Sequence, residues 1–233
     1  MVALLLLPGL DGTGLLFEEF AASLGSDVEV IVASYPAERP LSYTELESIA
    51  RRYIPSDKSF FLLGESFSGP IALSIAASSP PGLLGVILCC SFARNPLPLL
   101  TPARSLVRLF PVKSLPISLL SFFLMGRFST ERLRVRLAGA LARVIPEVLQ
   151  SRAYATLTVD ASAALRRVKV PLLYLRASED RVVGKSAAEW ILSQASDARM
   201  IEYAAPHFLL QVLPRETAAA VGKFIMVQTK KTP

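Results

Sequence analysis

One serine of the chain stands in a spacing that suits a nucleophile. The segment Ser59–Ala72 reads SFFLLGESFSGPIA, an apolar run followed by small residues and a helical pattern. In the G-x-S-x-G elbow, a sharp strand-to-helix turn exposes the serine hydroxyl, and the positions two before and two after it are small. Gly64 and Ser68 flank Ser66 in this way, with serine at the second small position. The five residues alone fit an ordinary strand–turn–helix equally well.

A serine nucleophile needs a general base and an acid that orients the base. The chain contains a single histidine, His207, just after the last predicted strand. Asp180 follows a predicted strand at Val170–Leu175, and catalytic groups of parallel sheets collect at such carboxyl ends. We therefore predict a Ser66–His207–Asp180 triad. Glu179 is the alternative acid, because a shift of one residue in the loop would exchange the two carboxylates.

Acyl transfer also needs backbone amides directed at the oxyanion that forms on the carbonyl. Phe67, the residue after Ser66, offers one such amide, and Leu10 in the loop after the first strand offers the second. The loop, Pro8–Gly14, lacks both the G-x-G-x-x-G spacing and the lysine of phosphate-binding loops. An ordinary glycine-rich turn is the alternative interpretation of this segment.

Short, continuously apolar runs indicate the strands that position these groups, because parallel strands covered on both faces lack alternation. The runs are Val2–Leu7, Val28–Ala33, Ser59–Leu63, Gly85–Cys90, Val170–Leu175 and Ala198–Glu202. Helical patterns separate them, at Leu16–Leu24, after a capping box at Ser42–Glu45, and at Phe67–Ser78. The alternation predicts an α/β fold with a doubly wound, mostly parallel sheet of about six strands.

The alternation stops between Ala93 and Arg167. Several prolines interrupt this stretch, a helix is predicted over Ser129–Ile145, and Pro146 can begin another. We expect residues 93–167 to be a helical insertion, with residues 1–92 and 168–233 forming the core. Its apolar side chains, candidates for lining a pocket, are Leu97, Leu99, Leu100, Phe110, Leu119, Leu120, Phe122, Phe123 and Leu124.

Composition and charge narrow the classes of protein. The chain has 233 residues, of which 52% are hydrophobic and 19% charged, which excludes intrinsic disorder. The two cysteines, Cys89 and Cys90, are neighbours in an apolar run and are predicted to be buried thiols. Of the net charge of +6, the section Arg94–Asp160 contributes ten basic and three acidic residues. This basic section could bind anionic substrates or contact anionic surfaces weakly. The alternative is that its basic side chains form a solvated helical face. No nucleic-acid-binding motif accompanies it, and no obligate protein partner is inferred.

The N-terminal run lacks the basic region and the length of a signal peptide, and Pro8 and Gly9 follow at once. We interpret it as a strand and expect a cytoplasmic location. No apolar run reaches the roughly 20 residues that span a bilayer.

Together these features resemble the α/β-hydrolase fold superfamily, in particular its serine esterases and lipases. The matching residues are Pro8-Gly9-Leu10, Gly64-Glu65-Ser66-Phe67-Ser68, Ser178-Glu179-Asp180 and Pro206-His207-Phe208, in the serine–acid–histidine order of that superfamily. Two positions depart from it, Pro8 where the family usually has histidine and Ser68 where it usually has glycine. The family's first two strands are expected to be absent, and residues 93–167 would be its cap.

The resemblance implies hydrolysis of a carboxylic ester with an apolar acyl group, through an acyl-enzyme on Ser66. Asp180 and His207 would complete the triad, and the Leu10 and Phe67 amides would form the oxyanion hole. Neither a metal nor an organic cofactor is implied. Two alternatives remain open: an acyltransferase with the same triad, in which an alcohol replaces water, and a hydrolase-fold receptor for a small ligand.

Overall fold

A computed structural model describes residues 1–98 and 116–231 of the chain. The strands are β1 (Val2–Leu7), β2 (Val28–Val32), β3 (Phe60–Glu65), β4 (Leu83–Cys89), β5 (Leu172–Ala177) and β6 (Ala198–Tyr203). Within the described residues these six form one sheet in the order β2-β1-β3-β4-β5-β6, and every neighbouring pair is parallel. The apolar N-terminal run is thus a strand, as predicted.

Helices cover both faces of this sheet. The helices of the described ranges are α1 (Glu18–Ala22), α2 (Tyr43–Ala50), α3 (Gly69–Ala77), α4 (Ile117–Leu124), α5 (Glu131–Ala142), α6 (Pro146–Thr156), α7 (Ser162–Leu165), α8 (Lys185–Gln194), α9 (Leu209–Val212) and α10 (Pro214–Thr229). Side chains of α2, α3, α7 and α8 share a core with one face of the sheet, and those of α1, α9 and α10 with the other. Along β1, Leu5 and Leu7 join the first core while Leu4 and Leu6 join the second. The prediction of a doubly wound sheet is therefore confirmed.

Local signals in the sequence place several helix ends. The Ser42 hydroxyl accepts from the Glu45 amide and the Glu45 carboxylate accepts from the Ser42 amide, which is the predicted capping box of α2. Pro146 begins α6, where a missing N–H costs nothing. The predicted helix over 129–145 is shorter in the structure, because the Thr130 hydroxyl caps α5 through the Leu133 amide.

The helices between β4 and β5 lie over loops at one edge of the sheet. Residues of α5 share a small core with Leu16 and Phe208, which follow β1 and β6 respectively. Residues of α6 pack against Leu10 in the loop after β1. An antiparallel bridge between Arg94 and Asp160 joins the two ends of the inserted stretch. Leu99, Leu100 and Phe110 lie outside the described residues.

Several arginines of this helical stretch are paired with carboxylates. The ion pairs are Arg127–Glu179, Arg132–Glu19, Arg134–Glu131, and Arg136 with both Glu18 and Glu19. Two of these carboxylates belong to α1, so part of the positive charge of the stretch is neutralised within the fold. Contact of the stretch with anionic surfaces stays a prediction. Among the described helices, none has the length and apolarity needed to cross a membrane.

Candidate active site

Ser66 occupies the turn between β3 and α3 in a strained backbone conformation. Its φ of 46° lies in the left-handed region, which residues other than glycine seldom adopt. A Cβ atom at Gly64 would lie 2.9 Å from both the Ala72 Cβ and the Ser68 carbonyl oxygen, so this position must be glycine. The hydroxyl of Ser68 is buried and contacts the Pro8 carbonyl oxygen, which ties the turn to the loop after β1.

The three residues of the predicted triad come together at the carboxyl ends of their strands. Ser66 Oγ lies 2.9 Å from His207 Nε2, and His207 Nδ1 lies 2.8 Å from Asp180 Oδ2. The neutral imidazole that fits these contacts donates its Nδ1 proton to the carboxylate and accepts from the serine hydroxyl at Nε2. His207 is 6% exposed, so bulk water competes little for these hydrogen bonds.

The structure brings Asp180 to His207 and turns Glu179 away from it. The other carboxylate oxygen of Asp180, Oδ1, accepts from the Val182 and Val183 amides at 2.8 Å each, which fixes the side chain. The carboxylate of Glu179 instead pairs with the exposed guanidinium of Arg127. The carboxylate that orients the imidazole is therefore that of Asp180.

Electrostatics of the pair suit a base and its orienting acid. Burial by itself would raise the pKa of Asp180, but the positive charge and hydrogen bond of His207 and the two loop amides together lower it. Burial likewise opposes a charge on His207, and the carboxylates of Asp180 and Glu65 outweigh it, leaving the pKa of His207 above 6.5. Asp180 thus stays ionised near neutral pH, and its negative charge stabilises the protonated form of His207.

The two predicted oxyanion residues, Leu10 and Phe67, line the same cavity as Ser66. Leu10 lies in a turn closed by a hydrogen bond of 3.0 Å from the Gly12 amide to the Gly9 carbonyl oxygen. Phe67 is 1% exposed and stacks on Tyr43 with ring centroids 4.7 Å apart, and the Tyr43 hydroxyl donates to the Phe67 carbonyl. The Leu10 segment is therefore held by a backbone hydrogen bond, and the Phe67 segment by the Tyr43 side chain.

A buried carboxyl group next to the nucleophile was not singled out by the sequence patterns. Glu65 is 7% exposed, and its carboxylate accepts from Gln211 Nε2 at 2.8 Å. Burial raises the pKa of Glu65 to about 7, with Asp11 adding to the rise and the Gln211 hydrogen bond and His207 opposing it. The signal that could have revealed it is a charged residue at the end of an otherwise apolar strand.

An apolar cavity of about 290 Å³ opens beside Ser66. The helical stretch contributes Leu120, Phe123 and Leu124 of α4, Leu137 and Leu141 of α5, and Ala153 of α6. Leu97, one of the candidates from the sequence, also lines it. Leu119 and Phe122 do not line the cavity, and they are 40% and 54% exposed. The space next to the nucleophile thus suits an apolar group.

Within the described parts of the chain, one group of side chains has the spacing of a metal site. The ligand atoms of Cys90, Asp180 and His207 lie within 4.8 Å of one another. Both ring nitrogens of His207 are already engaged, by Ser66 and Asp180. Burial raises the pKa of Cys90 well above its usual value, which disfavours the thiolate that binds metals. The donor set suits proton transfer better than metal coordination.

Comparison with known proteins agrees with this architecture. The model of the alpha/beta hydrolase family matches residues 4–220. An esterase from Exiguobacterium antarcticum is 15% identical, with a TM-score of 0.85 over 97% of this chain and 92% of that one. A lipase-esterase related protein from Clostridium acetobutylicum is 17% identical, with a TM-score of 0.79 over 96% and 94%. An enol-lactonase from Burkholderia xenovorans is 18% identical, with a TM-score of 0.77 over 98% and 91%. No curated protein sequence matches. The fold inferred from the sequence is confirmed.

Proposed function

The chain belongs to the alpha/beta hydrolase family, and from this premise we propose that it is a serine hydrolase that cleaves a carboxylic ester. The observation that carries the proposal is the continuous hydrogen-bonded line from Ser66 through His207 to Asp180. The strained conformation of Ser66 adds support, since such strain collects where a side chain must be presented to a substrate.

The proposed reaction proceeds in two halves through an acyl-enzyme. Ser66 Oγ attacks the ester carbonyl while His207 Nε2 takes its proton, and the amides of Leu10 and Phe67 stabilise the oxyanion. The intermediate collapses with loss of the alcohol, which receives that proton from His207. Water then attacks the acyl-enzyme, giving a proton to His207, and the second collapse returns this proton to Ser66 and releases the carboxylic acid. Asp180 stays ionised and stabilises the imidazolium in both halves.

The apolar cavity supports an ester with an apolar acyl group as the substrate class. Side chains of α4, α5 and α6 form much of its wall, so in this proposal residues 93–167 act as a cap over a core made of residues 1–92 and 168–233. Each methylene that enters the cavity contributes about 0.8 kcal/mol of transfer free energy, so two carbons change kcat/KM by roughly tenfold.

The proposal is tested by labelling and product analysis. A fluorophosphonate probe should modify Ser66, located by peptide mass spectrometry, and Ser66→Ala should abolish both the label and ester hydrolysis. Ser186→Ala, which changes an exposed serine, is the control and should keep both the label and ester hydrolysis. An adduct on a different serine, or hydrolysis that survives Ser66→Ala, would contradict the proposal. The same reaction is run with an added alcohol. A new ester among the products then reports acyl transfer, and the free acid reports hydrolysis.

A further inference from the structure

A buried charged side chain of the helical stretch reaches the loop after β1. Arg152 of α6 is 2% exposed, although an isolated buried charge is costly. Its Nη1 donates to the carbonyl oxygens of Leu10 at 3.0 Å and of Asp11 at 2.7 Å, and its Nη2 donates to that of Pro36 at 3.0 Å. The guanidinium therefore sits among backbone acceptors of two loops.

These contacts restrict the peptide groups on either side of Leu10. The Gly12 amide holds the Gly9 carbonyl, and because the peptide bond is planar and trans, the Leu10 amide points the opposite way. Arg152 holds the next two carbonyls, those of Leu10 and Asp11. Rotation of the turn about Leu10 would break at least one of these hydrogen bonds, so the direction of the Leu10 N–H is fixed.

The turn and the guanidinium fit each other closely. A Cβ atom at Gly12 would lie 2.3 Å from Arg152 Nη1, and Gly12 has a φ of 72° that glycine adopts without strain. Residues Ala153 and Thr156, which follow Arg152 in α6, line the cavity beside Ser66. One helix thus forms a wall of the cavity and holds the loop that faces the nucleophile.

We propose that Arg152 is a positioning residue that directs the Leu10 amide into the oxyanion hole. The inference rests on the proposed function, because it assigns Leu10 a role in acyl transfer. It links the helical stretch to catalysis: α6 shapes the pocket and also sets the geometry of one oxyanion donor. Arg152 itself touches no substrate, since the cavity is lined by its neighbours in the helix.

The test compares Arg152→Met and Arg152→Lys with Arg143→Met, which removes an exposed arginine at the end of α5. Rates with p-nitrophenyl butyrate are divided by the number of sites that a fluorophosphonate titrates to completion, so that misfolded protein does not count. Arg152→Met should lower kcat about 100-fold with KM nearly unchanged, because an oxyanion donor acts in the transition state. Arg152→Lys, which keeps the charge and some hydrogen bonds, should fall between the wild type and Arg152→Met. Arg143→Met should match the wild type.

A second readout separates positioning from a purely structural role. An alkyl trifluoromethyl ketone forms a hemiketal with the serine whose oxygen occupies the oxyanion hole. Its inhibition constant should rise in Arg152→Met by about the factor by which kcat falls, which a loss of folded protein would not produce. If Arg152→Met does not fold, the same proportionality is measured on Arg152→Lys.

The outcomes distinguish the inference from the function on which it rests. Active wild-type protein together with variants of unchanged kcat, or with a kcat that falls without any rise of the inhibition constant, would overturn the role of Arg152 alone. A wild type that neither takes the label nor cleaves esters would refute the proposed function, and the role of Arg152 with it.

Discussion

Replacement of Asp180 by asparagine should disable the base by reversing its tautomer. The Val182 and Val183 amides both donate to Oδ1 of Asp180, so the carbonyl oxygen of the new amide must take that place. Its NH₂ group then faces His207 Nδ1, which lies 2.8 Å from the second carboxylate oxygen. Only an unprotonated Nδ1 accepts this donor. The imidazole proton moves to Nε2, opposite the Ser66 hydroxyl, and His207 can no longer accept the serine proton.

The expected loss is about 10⁴-fold in kcat, the size of effect found when the acid of a serine triad is replaced by its amide. That factor corresponds to about 5.5 kcal/mol of activation free energy. The apparent pKa of the base should also fall, because Asp180 is a main source of its upward shift. Glu179→Gln is the matched control. It breaks an exposed ion pair with Arg127, worth about 0–1 kcal/mol in stability, and should leave kcat within about twofold of the wild type.

The assay is hydrolysis of p-nitrophenyl butyrate by the wild type and both variants between pH 5.5 and 9. For the wild type, kcat/KM should rise with pH through an apparent pKa above 6.5, because only neutral His207 can act as base. Thermal unfolding of each variant shows that the fold persists. The tautomer argument fails if Asp180→Asn keeps more than about a tenth of the wild-type kcat, or if Glu179→Gln is the more damaging change.

Further predictions concern stability and specificity. Glu65 has a pKa of about 7 in the folded protein against 4.5 for a free side chain, so its protonated form favours folding. The resulting contribution of about 3 kcal/mol to the free energy of unfolding is fully present below pH 4.5 and should be lost as the pH rises to 7. Urea unfolding should therefore show the wild type losing that much stability relative to Glu65→Gln, while the exposed Glu189→Gln follows the wild type; parallel curves for all three would contradict the assignment. Gly69→Ala places a Cβ 1.9 Å from the Ser91 hydroxyl and 2.9 Å from the Phe92 carbonyl oxygen, and should lower the free energy of unfolding by more than about 1 kcal/mol. Gly139→Ala meets open space in a helix and should raise the free energy of unfolding by up to about 1 kcal/mol. Equal midpoints of denaturant unfolding for the two variants would show that the close approach of the backbone at Gly69 does not matter. In a straight-chain ester series from acetyl to octanoyl, kcat/KM should rise and then level or fall, and a flat profile would show that the cavity takes no acyl chain.

Much of the fold was predictable because its signals are local. The run Val2–Leu7 is apolar at successive positions, and a strand covered on both faces needs just that pattern. The small residues Gly64 and Ser68 around Ser66 are an equally local signal for a tight turn. The five residues alone fit an ordinary strand–turn–helix as well, and only the order of serine, acid and histidine along the chain favoured the elbow. The placement of His207 followed from a general property of parallel sheets, which bring the ends of distant strands to one edge.

The tertiary structure alone decided which groups meet within that edge. Asp180 and Glu179 are neighbours with the same chemistry, and only the path of their loop turns one to the imidazole and the other to Arg127. The hydrogen bond from Arg152 to the Leu10 carbonyl spans 142 positions of the chain, and the one from Gln211 to Glu65 spans 146. Sequence periodicity does not predict such partners. A pattern along one helix indicates which face of the helix is buried, but not which backbone oxygen a side chain on that face will contact. Composition, spacing and order therefore determined the sheet and the set of candidate site residues. The packing of loops and helices against that sheet decided which carboxylate contacts His207 and which arginine holds the loop after β1.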